Sequence, residues 1–217
     1  MSDARAQILG AVRTALGPPR EAAAIAAEAA ALLETPELIR PRLPNRSLTD
    51  VFAERISAPK IGATVERVPR LADFPRAVDR YLRENGLPQA AALQPAPELL
   101  ELDWAGIELH KGMAADQAAG IGIARWGVAE TGSLVFHSGP DTPVLFNFLP
   151  LHSVIAIDVR QIVAHLEDYA AAAAGPPPRN ANIITGASGT TDIEGSYVRG
   201  AHGPGFLHVV IIGDTPI

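Results

Sequence analysis

Residues 182–212 read NIITGASGTTDIEGSYVRGAHGPGFLHVVII, and this stretch decides the fold. It begins with a short apolar run at Ile183 and Ile184 and ends with an apolar strand over residues 207–212. Between them, a loop rich in glycine and hydroxyl groups leads into a helix start predicted at residues 192–194. A strand, a glycine-rich loop and a helix start bring unpaired backbone N–H groups to one point, where the helix dipole favours an anion.

The same loop also has a purely structural interpretation. Thr191 and Glu194 have the spacing of a capping box, in which the two side chains only start the helix. For the loop alone, capping is the simpler hypothesis, and the anion site is the alternative.

The composition limits the classes of function. The 217 residues are enough for one substantial core, or for one domain with an extension. A net charge of −6 argues against a nucleic-acid-binding face, which needs a basic surface. No apolar run approaches the roughly 20 residues that span a bilayer, and the N-terminus lacks a secretory signal pattern. With 0 cysteines, the sequence offers neither disulfides nor cysteine ligands for an iron–sulfur cluster. We therefore expect a cytoplasmic protein.

The order of elements along the chain predicts an α/β fold. Helical patterns cover residues 51–56, 74–85 and 159–173. In addition to the two strands above, we expect strands at residues 63–68, 90–93, 107–110, 121–124, 133–137 and 154–157. This alternation is typical of an open, mostly parallel sheet with both faces covered.

The beginning of the chain has a different character. Residues 4–16 and 21–33 have helical patterns, and residues 35–44 contain several prolines and are predicted to form a linker. We therefore expect a helical arm and linker over residues 1–45 and an α/β domain over residues 46–217.

Residues 120–127, GIGIARWG, invite comparison with a dinucleotide-binding loop. Arg125 stands in the place of the third glycine and no helical pattern follows, so the segment fails that pattern. A strand with close backbone packing is the better interpretation. We expect no nicotinamide cofactor, and the sequence indicates no other cofactor.

Residues 129–133, AETGS, lie between two apolar strands. Glu130, Thr131, Gly132 and Ser133 together would present a carboxylate, two hydroxyls and a bare N–H to a ligand, with Glu130 as the candidate catalytic residue. Gly132 equally favours an ordinary hairpin-like turn. Both interpretations stay open, because a carboxylate at a strand end of an α/β sheet stands where ligands usually bind.

The histidines do not have the spacing of a metal site. His202 and His208 flank an HGPG turn, but a metal site needs three or four convergent ligands, and motifs such as HExxH do not occur. We predict no metal. His152 precedes a strand and either bonds a backbone carbonyl or moves protons. The G-x-S-x-G elbow of serine hydrolases does not occur either.

Several of these motifs occur together in one family. They are AETGSL at residues 129–134, LPxH at 149–152, TGxSxTxDIE at 185–194, HGP at 202–204 and LHV at 207–209. The combination, which covers roughly residue 48 to the C-terminus, resembles the LUD-domain family and, within it, the lactate utilization protein C group.

The resemblance implies a Rossmann-like open sheet similar to the sugar-phosphate isomerase and CoA-transferase superfamily, with a helical arm in front. It also implies a role in oxidising L-lactate to pyruvate beside partner proteins that resemble iron–sulfur oxidoreductase subunits. A chain without cysteine agrees with redox centres located in the partners. The candidate ligand-binding residues are Thr131, Gly132, Ser133, Thr185, Gly186, Ser188, Thr190, Asp192, Glu194 and His202.

The chain departs from the family pattern at positions that matter for charge. Gly189 replaces a common Arg, and Gly205 replaces a common Arg or Lys. An Arg gives a strong, often bidentate contact to a carboxylate or phosphate. An anion site here is therefore weaker, or binds another ligand, unless Arg125, Arg199 or backbone N–H groups substitute.

Three functions follow as hypotheses. The first is a non-redox subunit of an L-lactate utilization system. The second is a stand-alone enzyme of the isomerase or acyl-transferase type that binds a small anion, with Glu130 as nucleophile or base. The third is a ligand sensor. Since ligands of open α/β sheets bind beyond the carboxyl ends of strands, we expect Glu130, Ser188, Thr190 and Asp192 to line one cleft there.

Overall fold

A computed structural model of the protein describes residues 2–191 and 195–213. The chain divides into two compact units, Met1–Pro41 and Arg42–Ile217. The helices are α1 (Ser2–Leu16), α2 (Ala22–Glu34), α3 (Leu48–Ile56), α4 (Phe74–Glu84), α5 (Pro97–Leu100) and α6 (Leu166–Ala172). The strands are β1 (Thr64–Val68), β2 (Ala90–Leu93), β3 (Glu108–His110), β4 (Ala119–Ile123), β5 (Trp126–Val128), β6 (Ser133–His137), β7 (His152–Asp158), β8 (Ile162–Val163), β9 (Ala181–Ile184), β10 (Gly189–Thr191), β11 (Tyr197–Arg199) and β12 (Phe206–Ile212).

The first unit contains the two predicted helices, α1 and α2. Gly17, at φ 73°, follows α1 and takes a backbone conformation that other residues rarely adopt. Alanine dominates α2, so this helix offers little side-chain surface for a core.

A six-stranded sheet forms the centre of the second unit, in the order β1-β12-β7-β4-β2-β3. Every neighbouring pair is parallel, which confirms the predicted α/β class with an open, Rossmann-like sheet. The strands β2 and β4 are neighbours in this sheet. After β2 the chain adds β3 on the far side of β2, and after β4 the next strand of the sheet, β7, lies on the far side of β4. The direction of winding therefore reverses between β2 and β4.

Four further strands form a second sheet in the order β8-β5-β6-β9. The strands β5 and β6 pair as an antiparallel hairpin, and β9 adds to β6 in the antiparallel sense. A separate hairpin consists of β10 and β11.

The six-stranded sheet has a core on each face, because successive side chains of a strand point to opposite sides. Val210 and Ile212 of β12 pack with Phe74 and Leu82 of α4. Leu207, Val209 and Ile211 of the same strand pack with α3 and with the second sheet, through residues such as Phe52, Leu134 and Ile184. The second sheet, rather than helices alone, therefore covers this face.

One predicted helix and one predicted helix cap differ from the structure. Residues 159–173 form a 3-10 turn, the strand β8 and only then α6, which starts where the Asp168 carboxylate accepts a hydrogen bond from His165 N at 3.0 Å. Thr191, predicted to cap a helix, lies in β10 and pairs with Tyr197. Residues 192–194, where that helix was predicted to start, lie outside the described residues.

None of the helices within residues 2–191 and 195–213 is long and apolar enough to cross a membrane.

Candidate functional site

The AETGS segment forms the turn of the β5–β6 hairpin. Gly132 has φ 69°, and its N–H donates to Val128 O at 2.9 Å. A Cβ at Gly132 would lie 2.5 Å from Ile56 N, so the turn packs directly on the end of α3. The expected hairpin-like turn is therefore present, and glycine is needed both for its φ and for this close approach.

Glu130 is held by the chain around α6. Its backbone N–H donates to Ala164 O at 3.0 Å, and its Oε1 accepts a hydrogen bond from Leu166 N at 2.9 Å. Leu166 is the first residue of α6. The half-buried carboxylate thus satisfies an N–H that has no acceptor inside the helix.

Three hydroxyl groups connect the turn to the loop that follows β9. Ser133 Oγ lies 2.7 Å from Thr131 Oγ1 and 2.6 Å from Thr185 Oγ1. The next residue, Gly186, has φ 101°, and a Cβ there would lie 2.5 Å from Ile61 O. The structure therefore brings Thr131, Gly132, Ser133, Thr185 and Gly186 together. These residues form a packed junction between the β5–β6 turn and the loop that follows β9.

The rest of the predicted loop bonds to the HGPG turn. Ser188 N donates to Pro204 O at 2.7 Å, and Ser188 Oγ accepts from His202 N at 3.1 Å. Thr190 lies in the hairpin, opposite Val198. The two remaining predicted residues, Asp192 and Glu194, lie outside the described residues.

This loop lies at the amino edge of the six-stranded sheet, and the expected position at the carboxyl edge is wrong for Ser188. Pro204, its partner, stands just before β12 begins at Phe206. Ala187 N donates to Ile61 O at 3.1 Å, and Ile61 precedes β1. Because all six strands are parallel, both contacts mark the same edge.

Gly189 and Gly205, at which the resemblance implies cations, are covered by side chains of β11. A Cβ at Gly189 would overlap the Tyr197 side chain, and a Cβ at Gly205 would lie 3.1 Å from Arg199 Cγ. The Arg199 guanidinium lies over the Phe206 ring, with Cζ 4.7 Å from its centroid. A cation therefore stands beside Gly205, although it comes from another strand.

A buried polar cluster lies between α4 and the amino ends of β7 and β12. Tyr81 Oη is 2.9 Å from His152 Nδ1, and the Tyr81 ring stacks on His208 with centroids 4.6 Å apart. Thr64 Oγ1 lies 2.7 Å from His208 Nδ1. Burial lowers the pKa of both histidines, although the charge of Glu66 partly opposes this for His208. Burial also raises the pKa of Tyr81 to about 12, so all three rings are neutral near pH 7.

An open cleft of about 600 Å³ lies at the opposite, carboxyl edge of the sheet. The residues that line it follow strands of the six-stranded sheet or belong to the loop before β7, and they include Leu71, Gln94, Pro97, Glu98, Ala124, Arg125, Asp141, Thr142, Asp158 and Arg160. The cleft therefore stands beyond the strand ends, where open α/β sheets bind ligands.

Gln94 is the structural centre of this cleft and is 2% exposed. Its Nε2 donates to Asp141 O at 3.1 Å and to Thr142 Oγ1 at 3.2 Å, while its Oε1 accepts from Ile123 N at 3.0 Å. The side chain thereby connects the end of β2 to the end of β4 and to the loop that contains Asp141 and Thr142. A Cβ at Gly122 would lie 2.7 Å from Gln94 Oε1, so glycine leaves the space for this contact.

The charged groups of the cleft divide into paired and unpaired sets. Arg160 binds the Asp158 carboxylate, with Nη2 2.5 Å from Oδ2, and this bond lowers the pKa of Asp158. The Arg125 guanidinium has no carboxylate partner among residues 2–191 and 195–213, and its Cζ lies 5.3 Å from the centroid of the Trp126 ring. Glu98 and Asp141 are exposed carboxylates on the rim.

Comparison with known proteins gives one family match. Residues 108–212 match the family model of the LUD domain. Over these residues, the chain is similar to the LUD-domain family.

A solved structure supports the same assignment at the level of the fold. The chain is similar to the crystal structure of a DUF162 family protein from Deinococcus radiodurans, with a TM-score of 0.56 and 18% sequence identity. The similarity covers 79% of this chain and 100% of that protein. No curated protein matches the chain.

The matched residues 108–212 contain both the motif residues and part of the cleft that the sequence did not predict. Arg125, Asp141 and Asp158 lie inside the matched residues, whereas Gln94 precedes them. The position of two of these residues in the sequence could have indicated the cleft. Gln94 directly follows a buried strand, and Asp158 is the last residue of another. In the sequence, Arg125 is a departure from a dinucleotide-binding loop and a possible substitute for the missing cations of the predicted anion site, and neither interpretation indicates the cleft at the carboxyl edge. Among the described residues, no group of three or more His, Cys, Asp or Glu side chains could hold a metal ion.

Proposed function

We propose that this chain is a non-redox subunit of an L-lactate utilization system, in which iron–sulfur partner proteins oxidise L-lactate to pyruvate in the cytoplasm. The observation that carries the proposal is the LUD domain over residues 108–212, a domain associated with lactate utilization. The sequence motifs that resemble the lactate utilization protein C group support the narrower assignment.

The composition agrees with this division of labour. The sequence has 0 cysteines, so it supplies no thiolate to a cluster. The electron-carrying centres of the proposed system would be bound by the partners.

The position of Glu130 argues against a stand-alone isomerase or acyl-transferase. A catalytic carboxylate must be directed at a substrate. Instead, Glu130 Oε1 bonds the first backbone N–H of α6, and the neighbouring hydroxyls of Ser133 and Thr185 bond each other. These contacts are those of a cap and a loop junction, which is the arrangement expected of a subunit without its own chemistry at this point.

Exposed apolar side chains near the amino edge support a partner surface. Leu145, Phe148, Leu149 and Leu151 are all exposed within one short segment. A Cβ at Gly203 would lie 3.8 Å from Phe148 Cδ1, and one at Gly205 2.9 Å from Leu151 Cδ1, so this segment adjoins the HGPG turn. Adjacent exposed apolar groups of this kind are typical of surfaces that other proteins cover.

Deletion and complementation test the proposal. A strain without this chain should fail to grow on L-lactate and grow normally on pyruvate, and the wild-type chain should restore growth. Glu130→Gln should restore it equally, because the amide oxygen still accepts the Leu166 N–H. Normal growth of the deletion strain on L-lactate would contradict the proposal. Failure of Glu130→Gln at a normal protein level would favour the enzyme hypothesis.

A further inference from the structure

The two helices of the arm, α1 and α2, have no buried face among their described side chains. Within residues 4–32, Gly10 alone is partly buried and all the others are exposed. Helices of 15 and 13 residues are only marginally stable in water by themselves, because most helical stability in proteins comes from the packing of an apolar face. Both helices therefore need a further surface to pack against.

The large apolar residues of α1 form a stripe along one side of the helix. Leu9, Val12 and Leu16 follow one another at intervals of three and then four residues, so they lie on the same face. Val12 is 48% exposed and Leu16 is 78% exposed, so the part of the chain that the structure describes leaves this face open. Stripes with this spacing are the seams along which the helices of coiled coils pack.

The helix α2 has a stripe with the same spacing and a different profile. Small and large side chains alternate along it, at Ala22, Ile25, Ala29 and Leu32. Ile25 is 49% exposed and Leu32 is 68% exposed, so the stripes of α1 and α2 do not bury each other within one chain. Large side chains pack well opposite small ones. The bulky stripe of α1 and the alternating stripe of α2 are therefore complementary in shape.

The charges of the two helices are complementary as well. The helix α1 carries two arginines, Arg5 and Arg13, and one aspartate, whereas the charged residues of α2 are both acids, Glu28 and Glu34. Arg20 binds the Glu28 carboxylate. Arg5, Arg13 and Glu34 have no ion-pair partner among residues 2–191 and 195–213. Opposite charges favour the packing of α1 on α2, and like charges disfavour the packing of either helix on its own copy.

We propose that two copies of this chain associate through their arms, with α1 of each copy packed along α2 of the other. A two-fold arrangement forms this contact twice and covers all four stripes. The complement of each stripe in shape and charge stands on the same chain, which is what a symmetric dimer requires. This inference goes beyond the proposed function and does not rest on it, because a subunit of a lactate utilization system can be a monomer or a dimer.

Analytical ultracentrifugation of the full chain measures the association. The wild-type chain should sediment with a mass twice the 22.8 kDa of one chain. Val12→Asp places a carboxylate in the middle of the α1 stripe and should leave the chain monomeric. Thr14→Asp is the matched control, because it adds the same charge to the same helix at an exposed position roughly 200° around the axis from Val12, and it should stay dimeric. Circular dichroism checks that both variants keep their fold.

Charge reversal tests which helices pair. The double variant Arg5→Glu with Arg13→Glu gives α1 the same sign as α2. It should weaken the dimer by about tenfold or more, because attraction becomes repulsion and each contact occurs twice. Adding Glu28→Lys and Glu34→Lys to the same chain reverses the sign of α2 as well, so this fourfold variant should associate again.

A wild-type chain that stays monomeric would overturn the inference, and a monomer that retains iron–sulfur proteins through its arm would assign the arm to that partner instead. A dimer that survives Val12→Asp, or that Thr14→Asp also dissociates, would show that the α1 stripe is not the interface. A dimer that the double reversal leaves intact, or that the fourfold variant fails to restore, would overturn the pairing of α1 with α2. Growth on L-lactate tests the proposed function separately.

Discussion

Replacing Gln94 with Met tests, through the stability of the protein, whether Gln94 holds the elements around the cleft together. The N–H of Ile123 points toward β2 beyond its last residue, and Gln94 Oε1 accepts its hydrogen bond at 3.0 Å. Met has nearly the same volume, so the substitution removes the hydrogen bonds with little change in packing. A buried N–H without an acceptor costs about 1–3 kcal/mol, and the two lost donations to Asp141 O and Thr142 Oγ1 add about 1 kcal/mol together, since water reaches that loop. We expect a loss of roughly 2–4 kcal/mol in the free energy of unfolding.

Urea unfolding followed by circular dichroism measures this loss directly. The control is Gln161→Met, because Gln161 lines the same cleft with an exposed side chain. Its effect should stay within about 0.5 kcal/mol, as for most surface substitutions. A loss below about 1 kcal/mol for Gln94→Met, or equal losses for both variants, would refute the assignment of Gln94 as the group that holds β2, β4 and the loop together.

Three further predictions concern stability and assembly. Burial lowers the pKa of His152 and His208 below their ordinary 6.5, so the unfolded chain binds protons at a higher pH than the folded chain does. The free energy of unfolding should therefore fall as the pH drops below about 6.5. Urea titrations at a series of pH values should show that this free energy depends less steeply on pH in His208→Gln. Gly132→Ala should lower the free energy of unfolding, measured by a thermal melt, by about 2 kcal/mol or more, since Gly132 has φ 69° and an added Cβ would lie 2.5 Å from Ile56 N. Gly139 has no positive φ and open space around it, so Gly139→Ala should change this free energy little. Removing residues 1–41 should leave the melting temperature of the remaining domain nearly unchanged and reduce association, measured by elution volume; collapse of the melting transition would show that the arm belongs to the core.

The sequence predicted the strands of the six-stranded sheet and missed several short elements outside it. Buried strands such as β2, β6 and β12 have continuous apolar runs, so their pattern decides their structure. The strands β8 and β5 have two and three residues, and they exist because they pair with each other and with β6. Such pairing depends on residues distant in sequence, which local periodicity does not contain.

The site was predicted less well than the fold, for a similar reason. The motif residues Thr131, Ser133 and Thr185 do meet, but as a hydroxyl junction at the amino edge. Glu130 looks the same in sequence whether it caps α6 or faces a substrate, because its partner Leu166 is 36 residues away. The cleft at the other edge depends on which strands lie side by side, and Gln94 and Arg125 become neighbours only through the pairing of β2 with β4.

Affinity purification of the full chain from cells grown on L-lactate tests the central claim most directly. The eluate should contain iron–sulfur proteins in a constant ratio to the chain and should reduce an electron acceptor when L-lactate is added. The same purification from cells grown without L-lactate is the control for the background. A chain that elutes alone from lactate-grown cells, with no iron and no L-lactate-dependent reduction, would contradict its assignment as a subunit of an L-lactate utilization system.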